Sequence, residues 1–354
     1  GSSWQPFQLN LPIVPVTDLM IRDNDLVAAT AGRAFWILDD LGAIQQAATA
    51  STVTLFSPKP AYKFGGGTGL PEAKYKAGQN APEGVILDYI LPEVTDSTLV
   101  TLKITDASGK VIRTYSNKKD AAYVKYPGGP AAATLLSAKK GHNRFLWNLR
   151  NENILPDVKN VFVYGSYDGY AVPPGKYKAQ LNFNGTISET EMMVLANPAI
   201  SATAADWNEQ QQVLASITAS ISEMHQQVNE LRKIRKQLVH HSDILKGVKP
   251  AEKVLDEAKK LIEGIDAWES NIVEGRIQNG QDVINWPSKL NVEFFNIKRL
   301  ADAADPRITQ GIKTRLADLQ SQWNAEKGKV EAIKKSVAAY NTLYKSQQLE
   351  ALIF

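Results

Sequence analysis

The sequence predicts a multidomain protein of mixed class, with β structure first and α structure after it. Three observations carry that expectation. Apolar and polar residues alternate with a period of two from about residue 17 to 38, and again from 84 to 195. Gly, Asn and Asp punctuate those stretches at hairpin spacing. From Ser201 onward the apolar period changes to three and four, as an amphipathic helix requires. With 354 residues, the chain is long enough for two or three domains, each with its own core.

Composition narrows the function classes. Hydrophobic residues make up 44% and charged residues 22%, ordinary values for a globular protein. A net charge of +3 is too small to form the basic field that nucleic acid demands. The 40 Lys and Arg are spread over helices where they alternate with acids, the pattern of solvated faces. The absence of cysteine removes disulfides, thiolate-ligated zinc and thiol catalysis, and leaves the compartment open. No apolar run approaches the ~20 residues that span a bilayer.

The first strands are short. Thr17–Arg22 alternates around Leu19 and Ile21, Asp23-Asn24-Asp25 turns, and Leu26–Ala31 returns. Gly32 turns the chain again into Phe35–Leu38, closing a three-stranded meander. The clustered Asp23, Asp25, Asp39 and Asp40 have two readings. Carboxylates suit a hard cation such as calcium, but they also build turns and cap helices, here the short segment Leu41–Ala48. The positions lack the regular oxygen spacing of a calcium loop, which favours turns and caps.

Thr52–Pro60 reads as a strand stiffened at its exit by Pro58 and Pro60. Tyr62–Pro82, with Gly65-Gly66-Gly67, Gly69, Pro71 and Gly78, reads as a flexible loop. A phosphate cradle would need Lys-Ser/Thr and a helix to follow, and neither does. Further strands are expected at Gly84–Leu91, Leu99–Thr105, Val111–Tyr115, Gly141–Arg150, Tyr177–Phe183 and Thr190–Leu195. Turn signals at this spacing indicate an immunoglobulin-like β-sandwich.

In the helical part, three apolar series stand out. They are Leu214 to Leu238 (with Ile217, Ile221, Met224, Val228 and Leu231), Val254 to Ile272, and Ile312 to Tyr344. The first and last predict helices of about 40 residues, each about 60 Å long. The middle one predicts about 25 residues, too short to match them. Gly275–Gly280 and Trp286-Pro287 interrupt the pattern, and a short helix over Lys289–Ala303 would cover the remaining length. This predicts a long antiparallel helical bundle whose middle layer breaks near 276–288, with Pro306 at the first position of the last helix.

Candidate chemistry is thin. Adjacent helical residues project about 100° apart, so His240 and His241 cannot clamp one ion, and His225 lies too far along the helix to join them. Glu72, Glu83, Asp88 and Glu93 are the acids available for glycoside hydrolysis, which needs two carboxylates about 5–10 Å apart in a cleft. Each sits in or beside a loop, where solvated acids are normal. No Gly-x-Ser-x-Gly elbow is present. No catalytic residue, metal ligand or cofactor is assigned. Tyr123, Tyr126, Tyr164, Tyr167 and Tyr170 lie in expected loops, and Tyr164, Tyr167 and Tyr170 are the candidates for a carbohydrate platform. Their alternative role is to close the sandwich ends and pack on the helices.

Some segments carry a family resemblance. Val14-Pro15-Val16-Thr17-Asp18-Leu19, followed by Ala29-Thr30-Ala31-Gly32-Arg33-Ala34-Phe35-Trp36-Ile37-Leu38-Asp39-Asp40, resembles the last β-propeller blade of large secreted bacterial sortilin-like BNR-repeat proteins, often labelled glycosyl hydrolases. Trp286-Pro287-Ser288-Lys289-Leu290-Asn291 resembles that family's Tyr-Pro-x-Lys-Leu-Asn segment. Gly141-His142-Asn143-Arg144-Phe145-Leu146-Trp147-Asn148 and Pro173-Pro174-Gly175-Lys176-Tyr177 resemble FlgD-like and fibronectin-type sandwiches. The family usually has His where Ala31 stands and Gly or Ser where Ala34 stands, so the one titratable group of its blade motif is missing.

The resemblance implies a remnant of the last blade over 1–57, an immunoglobulin or FlgD-like sandwich over 58–198 and the bundle over 199–354. It further implies that the abrupt opening Gly1-Ser2-Ser3-Trp4 is the start of an excised C-terminal region, with Gly1 a tag remnant. A periplasmic or extracellular bacterial location follows from the same resemblance. The expected role is a non-catalytic structural and interaction region of a larger propeller protein. The alternative is a carbohydrate-binding accessory module of a glycoside hydrolase-like protein, and a weaker third reading places the chain in a hydrolase whose site needs the absent propeller. Expected partners are the rest of the propeller, a polysaccharide, or a second copy through the exposed blade, with no nucleic acid and no membrane span.

Overall fold

The computed structural model describes residues 4, 6–47, 52–64, 82–152 and 155–347. Residues 65–81 of the predicted glycine loop, including Gly65, Gly66, Gly67, Gly69, Pro71, Glu72 and Gly78, lie outside the described residues. The protein is mixed β plus α, as the two apolar periods predict. It separates into two compact units. The first comprises Gly1–Lys119, Thr134–Leu149 and Pro174–Asn197, and the second Asp120–Ala133, Arg150–Pro173 and Pro198–Phe354.

The first unit opens with three antiparallel strands, β1 (Val16–Arg22), β2 (Asp25–Thr30) and β3 (Phe35–Leu38), in that order across the sheet. Asp23 and Asn24 form the two-residue turn between β1 and β2, both left-handed with φ of 50° and 67°. That conformation matches the right-handed twist of the flanking strands, and short polar side chains tolerate it best. Gly32, with φ of 91°, turns β2 into β3, and a short helix α1 (Gly42–Ala47) follows.

Eight further strands build two sheets. Strands β4 (Thr54–Leu55), β6 (Val85–Leu91) and β9 (Gly141–Trp147) form one, in the order β4-β6-β9. Strands β5 (Ala61–Lys63), β7 (Val100–Asp106), β8 (Val111–Ser116), β10 (Gly175–Phe183) and β11 (Thr186–Ala196) form the other, in the order β5-β11-β10-β7-β8. Val85, Leu87 and Tyr89 from one sheet, and Leu102, Ile104 and Leu181 from the other, are fully buried. Aromatic rings join the two: Tyr115 meets Phe145 at 4.6 Å between centroids and Trp147 meets Tyr177 at 5.2 Å, both edge to face. Such pairs contribute about 1 kcal/mol each beyond their burial.

Two expectations change here. Of Thr52–Pro60 only Thr54–Leu55 pairs as a strand, and prolines 58 and 60 have no N–H to donate to a ladder. Ala61–Lys63, expected at the edge of a loop, adds parallel to β11 instead. A three-residue strand is too short to show a period.

The second unit carries the helices α2 (Ala204–Leu245), α3 (Glu252–Ile272), α4 (Leu290–Ala301) and α5 (Gln310–Ser346). A capping box starts α2, with Thr203 Oγ1 accepting from the Asp206 amide and Asp206 accepting from the Thr203 amide. The last helix begins four residues later than Pro306, because Thr309 Oγ1 accepts from the Ile312 amide and caps it there. Both α3 and α4 touch α2 and α5. Arg232 of α2 pairs with Glu269 of α3, and Gln210 of α2 donates to the Ala301 carbonyl of α4 at 2.9 Å. Trp268 Nε1 of α3 donates to the Glu326 carbonyl of α5 at 3.2 Å, and Arg315 of α5 pairs with Glu293 of α4 at 3.0 Å.

The segment 150–173 packs into this helical core rather than into the β unit. Leu155, Val158, Val161, Val163 and Tyr167 are buried in one cluster with Leu214, Met224, Phe294 and Phe295. Buried aliphatic side chains on an irregular segment need such a surface, because that segment has no second face of its own to cover them. Among the described residues, no helix is long and apolar enough to cross a membrane.

Candidate interaction surface

The three-stranded sheet β1-β2-β3 carries apolar side chains outward on both faces. Cross-strand register aligns Met20, Val27 and Ile37 on one face, with Phe35 two residues from Ile37. It aligns Leu19, Ala28 and Trp36, then Ile21, Leu26 and Leu38, on the other. Leu19, Met20, Ile21 and Ile37 are each 60–61% exposed and Phe35 is 74% exposed. Isolated exposed apolar residues are ordinary, but a contiguous set on one sheet marks a surface that another body covers. In β1, all seven residues are exposed.

The aspartates around this sheet make its turns. Asp25 Oδ1 accepts from the Asp40 amide at 2.8 Å and from Lys59 Nζ at 2.6 Å. These contacts hold the Asp25 carboxyl below its ordinary pKa, the amide first and the lysine second. Asp40 Oδ1 accepts from Asn24 Nδ2 at 3.1 Å and from the Gly42 amide at 2.9 Å, which caps α1. Asp23 pairs with Arg22 at 3.3 Å, both exposed. Among the described residues, no group of three or more His, Asp or Glu could hold a metal ion.

The tyrosines chosen for a sugar platform lie in the helical unit and turn inward. Tyr167 is only 4% exposed, packed against Phe295 with ring centroids 5.4 Å apart. Burial pushes its hydroxyl up to about 12. Tyr170 is half-buried against the same core, and burial raises its hydroxyl as well. Tyr164 is half-buried and donates to the Gly280 carbonyl. Tyr126 Oη lies 3.1 Å from both Asp157 Oδ2 and the Val158 carbonyl, and Tyr123 donates to the Pro130 carbonyl at 3.0 Å.

The remaining candidates separate. Asp88, buried on β6, accepts from Arg144 Nε at 2.9 Å and Nη2 at 3.0 Å, and His142 Nε2 lies 2.7 Å from it. Both partners sit on β9, where the antiparallel register sets Arg144 opposite Asp88. Glu93 is exposed and pairs with Lys140 at 2.9 Å, and Glu83 is half-buried. His240 is exposed near the end of α2, and His241 stacks 5.5 Å from Tyr344.

The sequence weighed His225 only as a metal ligand, and Lys298 not at all. His225 is fully buried and Nδ1 donates to the Pro156 carbonyl at 2.8 Å. Lys298, also buried, donates to the Ser166 carbonyl at 3.0 Å and to the Asp168 carbonyl. Burial lowers its ammonium to about 8, opposed by Asp302. A lysine inside the apolar face of a short helix was the one signal available. The exposed aromatic pair of the first unit was also missed: Tyr62 and Phe64 are 44% and 53% exposed, with ring centroids 5.7 Å apart.

Compared with protein-family models, curated proteins and solved structures, the chain matches none of them significantly.

Proposed function

We propose that this chain is a non-catalytic structural and interaction region, the C-terminal part of a larger secreted or periplasmic β-propeller protein. The observation that supports it is the sheet β1-β2-β3, whose apolar residues face outward on both sides. A blade inside a propeller has that distribution, because neighbouring blades cover its two faces. On this reading the two sheets β4-β6-β9 and β5-β11-β10-β7-β8 are an immunoglobulin or FlgD-like sandwich. The helices are an antiparallel bundle in which α3 and α4 together form the broken middle layer. Sandwich and bundle are the spacer and brace of the assembly. The inward packing of Tyr167 and Tyr170 supports a structural role for that segment.

A second reading, a carbohydrate-binding accessory module, draws support from Tyr62 and Phe64 rather than from the buried tyrosines. Two exposed aromatic rings, Tyr62 on the edge strand β5 and Phe64 just after it, offer apolar faces to the C–H face of a sugar. Affinity electrophoresis against a panel of soluble polysaccharides separates the two. The scaffold reading expects no retardation by any glycan. Retardation abolished by Tyr62→Ala or Phe64→Ala replaces it with the second reading.

A further inference from the structure

The outer edge of β1 points to a partner. Among the described residues, β1 pairs with β2 on one side and with no strand on the other. The Leu19 amide donates to its neighbour Asp18 Oδ1 at 2.8 Å. Proteins usually blunt such an edge with lysine, proline or a bulge. The one irregularity in the register of β1 lies at its start, between Val16 and Asp18, and the residues after it, Asp18 to Arg22, contain no lysine or proline and pair with β2 without a shift.

The order of side chains along this edge is self-complementary. A second copy related by a two-fold axis would run antiparallel to β1, so one residue of the strand must face its own image. The strand has two charges, Asp18 and Arg22, both on the face of Met20. An axis at Met20 sets each Asp18 opposite the other copy's Arg22. The same register sets each Leu19 opposite Ile21 on the other face. An axis at Leu19 would oppose Asp18 to Met20 and Arg22 to Val16. An axis at Ile21 would oppose Arg22 to Met20 and Leu19 to Asp23. Charge matching and apolar matching coincide in one register alone.

We propose that two copies of this chain associate through β1, antiparallel about Met20, to form one continuous sheet twice as wide. The proposal rests on reading the N-terminal sheet as an interaction element, and it names the partner. Arg22 is available to change partners, because the side chains of its present pair with Asp23 are 79% and 85% exposed. Exposed pairs of this kind contribute little. When Asp18 turns to Arg22 of the second copy, it releases the Leu19 amide to the incoming strand. Met20 meets its own image between the two ion pairs, in line with the exposed Ile37.

Sedimentation equilibrium of the intact chain over a concentration series tests this, together with charge exchanges at two exposed positions. The unaltered chain is expected to dimerise reversibly. Asp18→Arg alone, or Arg22→Asp alone, sets like charges opposite each other twice and raises the dimer Kd by about tenfold or more. Asp18→Arg with Arg22→Asp restores opposite charges and returns the dimer. Far-UV circular dichroism of each variant separates loss of pairing from loss of fold. A chain monomeric at its highest soluble concentration overturns the proposal. So does a dimer indifferent to the single exchanges, or one that the double exchange fails to recover. The scaffold reading turns on glycan binding, and a monomer leaves it standing.

Discussion

The imidazole of His225 packs against the rings of Tyr167 and Phe295, with centroids 6.0 and 5.9 Å away, and its Nδ1 donates to the Pro156 carbonyl at 2.8 Å. Nε2 is buried with no hydrogen-bond partner among the described residues. Burial lowers this histidine to about 4, against the favourable Pro156 carbonyl and Asp157. The unfolded chain therefore binds more protons than the folded one between about pH 4 and 6.5. Stability of the helical unit should fall as pH drops through that window, by about 3 kcal/mol in total. His225→Gln, which retains a donor toward Pro156, should flatten the profile. Urea denaturation at several pH values measures both, and parallel profiles would contradict the assignment to His225.

Asp88 and Arg144 should respond unequally to loss of their partner. Arg144→Ala leaves a buried carboxylate with only His142 beside it, whereas Asp88→Asn leaves a half-exposed guanidinium that water can reach. The expected costs are about 2 kcal/mol for the first and about 1 kcal/mol for the second. Chemical denaturation of both variants gives the order, and equal or reversed costs would refute the argument.

Gly128 has φ of 68°, and a Cβ there would lie 2.5 Å from Phe162 Cα, a backbone atom with little room to yield. Gly247 has φ of 86° with nothing within 4 Å of a built Cβ. Gly247→Ala should cost about 1 kcal/mol from backbone strain alone. Gly128→Ala adds a backbone clash and should cost about 3 kcal/mol. Thermal unfolding of the two variants separates strain from clash.

Phe35→Ser combined with Ile37→Thr removes exposed apolar area without touching a buried contact. Stability should change by no more than about 0.5 kcal/mol. Fluorescence of an apolar dye bound to the chain should fall, because the face it recognises has become polar. A large loss of stability would mean that these side chains are covered in solution.

Glu269 receives Arg232 at 2.5 Å and Arg235 at 3.4 Å, with its own side chain 12% exposed. Glu269→Ala leaves Arg232 with no carboxylate between α2 and α3, while Arg235 keeps its pair with Asp266. The expected cost is about 2 kcal/mol, measured by urea unfolding. The shielding makes this pair worth more than exposed ones such as Arg307 with Asp305.

Much of the fold was legible in local pattern. Strand β7 alternates buried and half-exposed residues along Val100–Asp106, and α3 buries Val254, Ala258, Leu261, Ile265, Trp268 and Ile272 as its period requires. The interruption between α3 and α4 was signalled by Gly275, Gly280 and Pro287. The start of α5 was not, because proline and threonine both suit a helix entry and the hydrogen bond of Thr309 decides between them. The tyrosine segment misled for another reason. Tyr164, Tyr167 and Tyr170 occupy a turn-rich stretch that reads as surface loop. Its cover comes from residues far along the chain, with His225 and Asn229 binding the carbonyls of Pro156 and Asp157.

By itself the sequence determined what depends on neighbours within a few residues: strand and helix periods, the Asp23-Asn24 turn, and the absence of thiol chemistry. These follow from backbone sterics and local hydrogen bonding, which act over one or two turns of chain. Only the tertiary structure decided which apolar residues are covered. Tyr167 and Val158 are buried because helices meet them, while Phe35, Ile37 and Met20 remain exposed because no described element does. The sequence shows the same apolar character in both sets, and burial depends on partners that local pattern does not name.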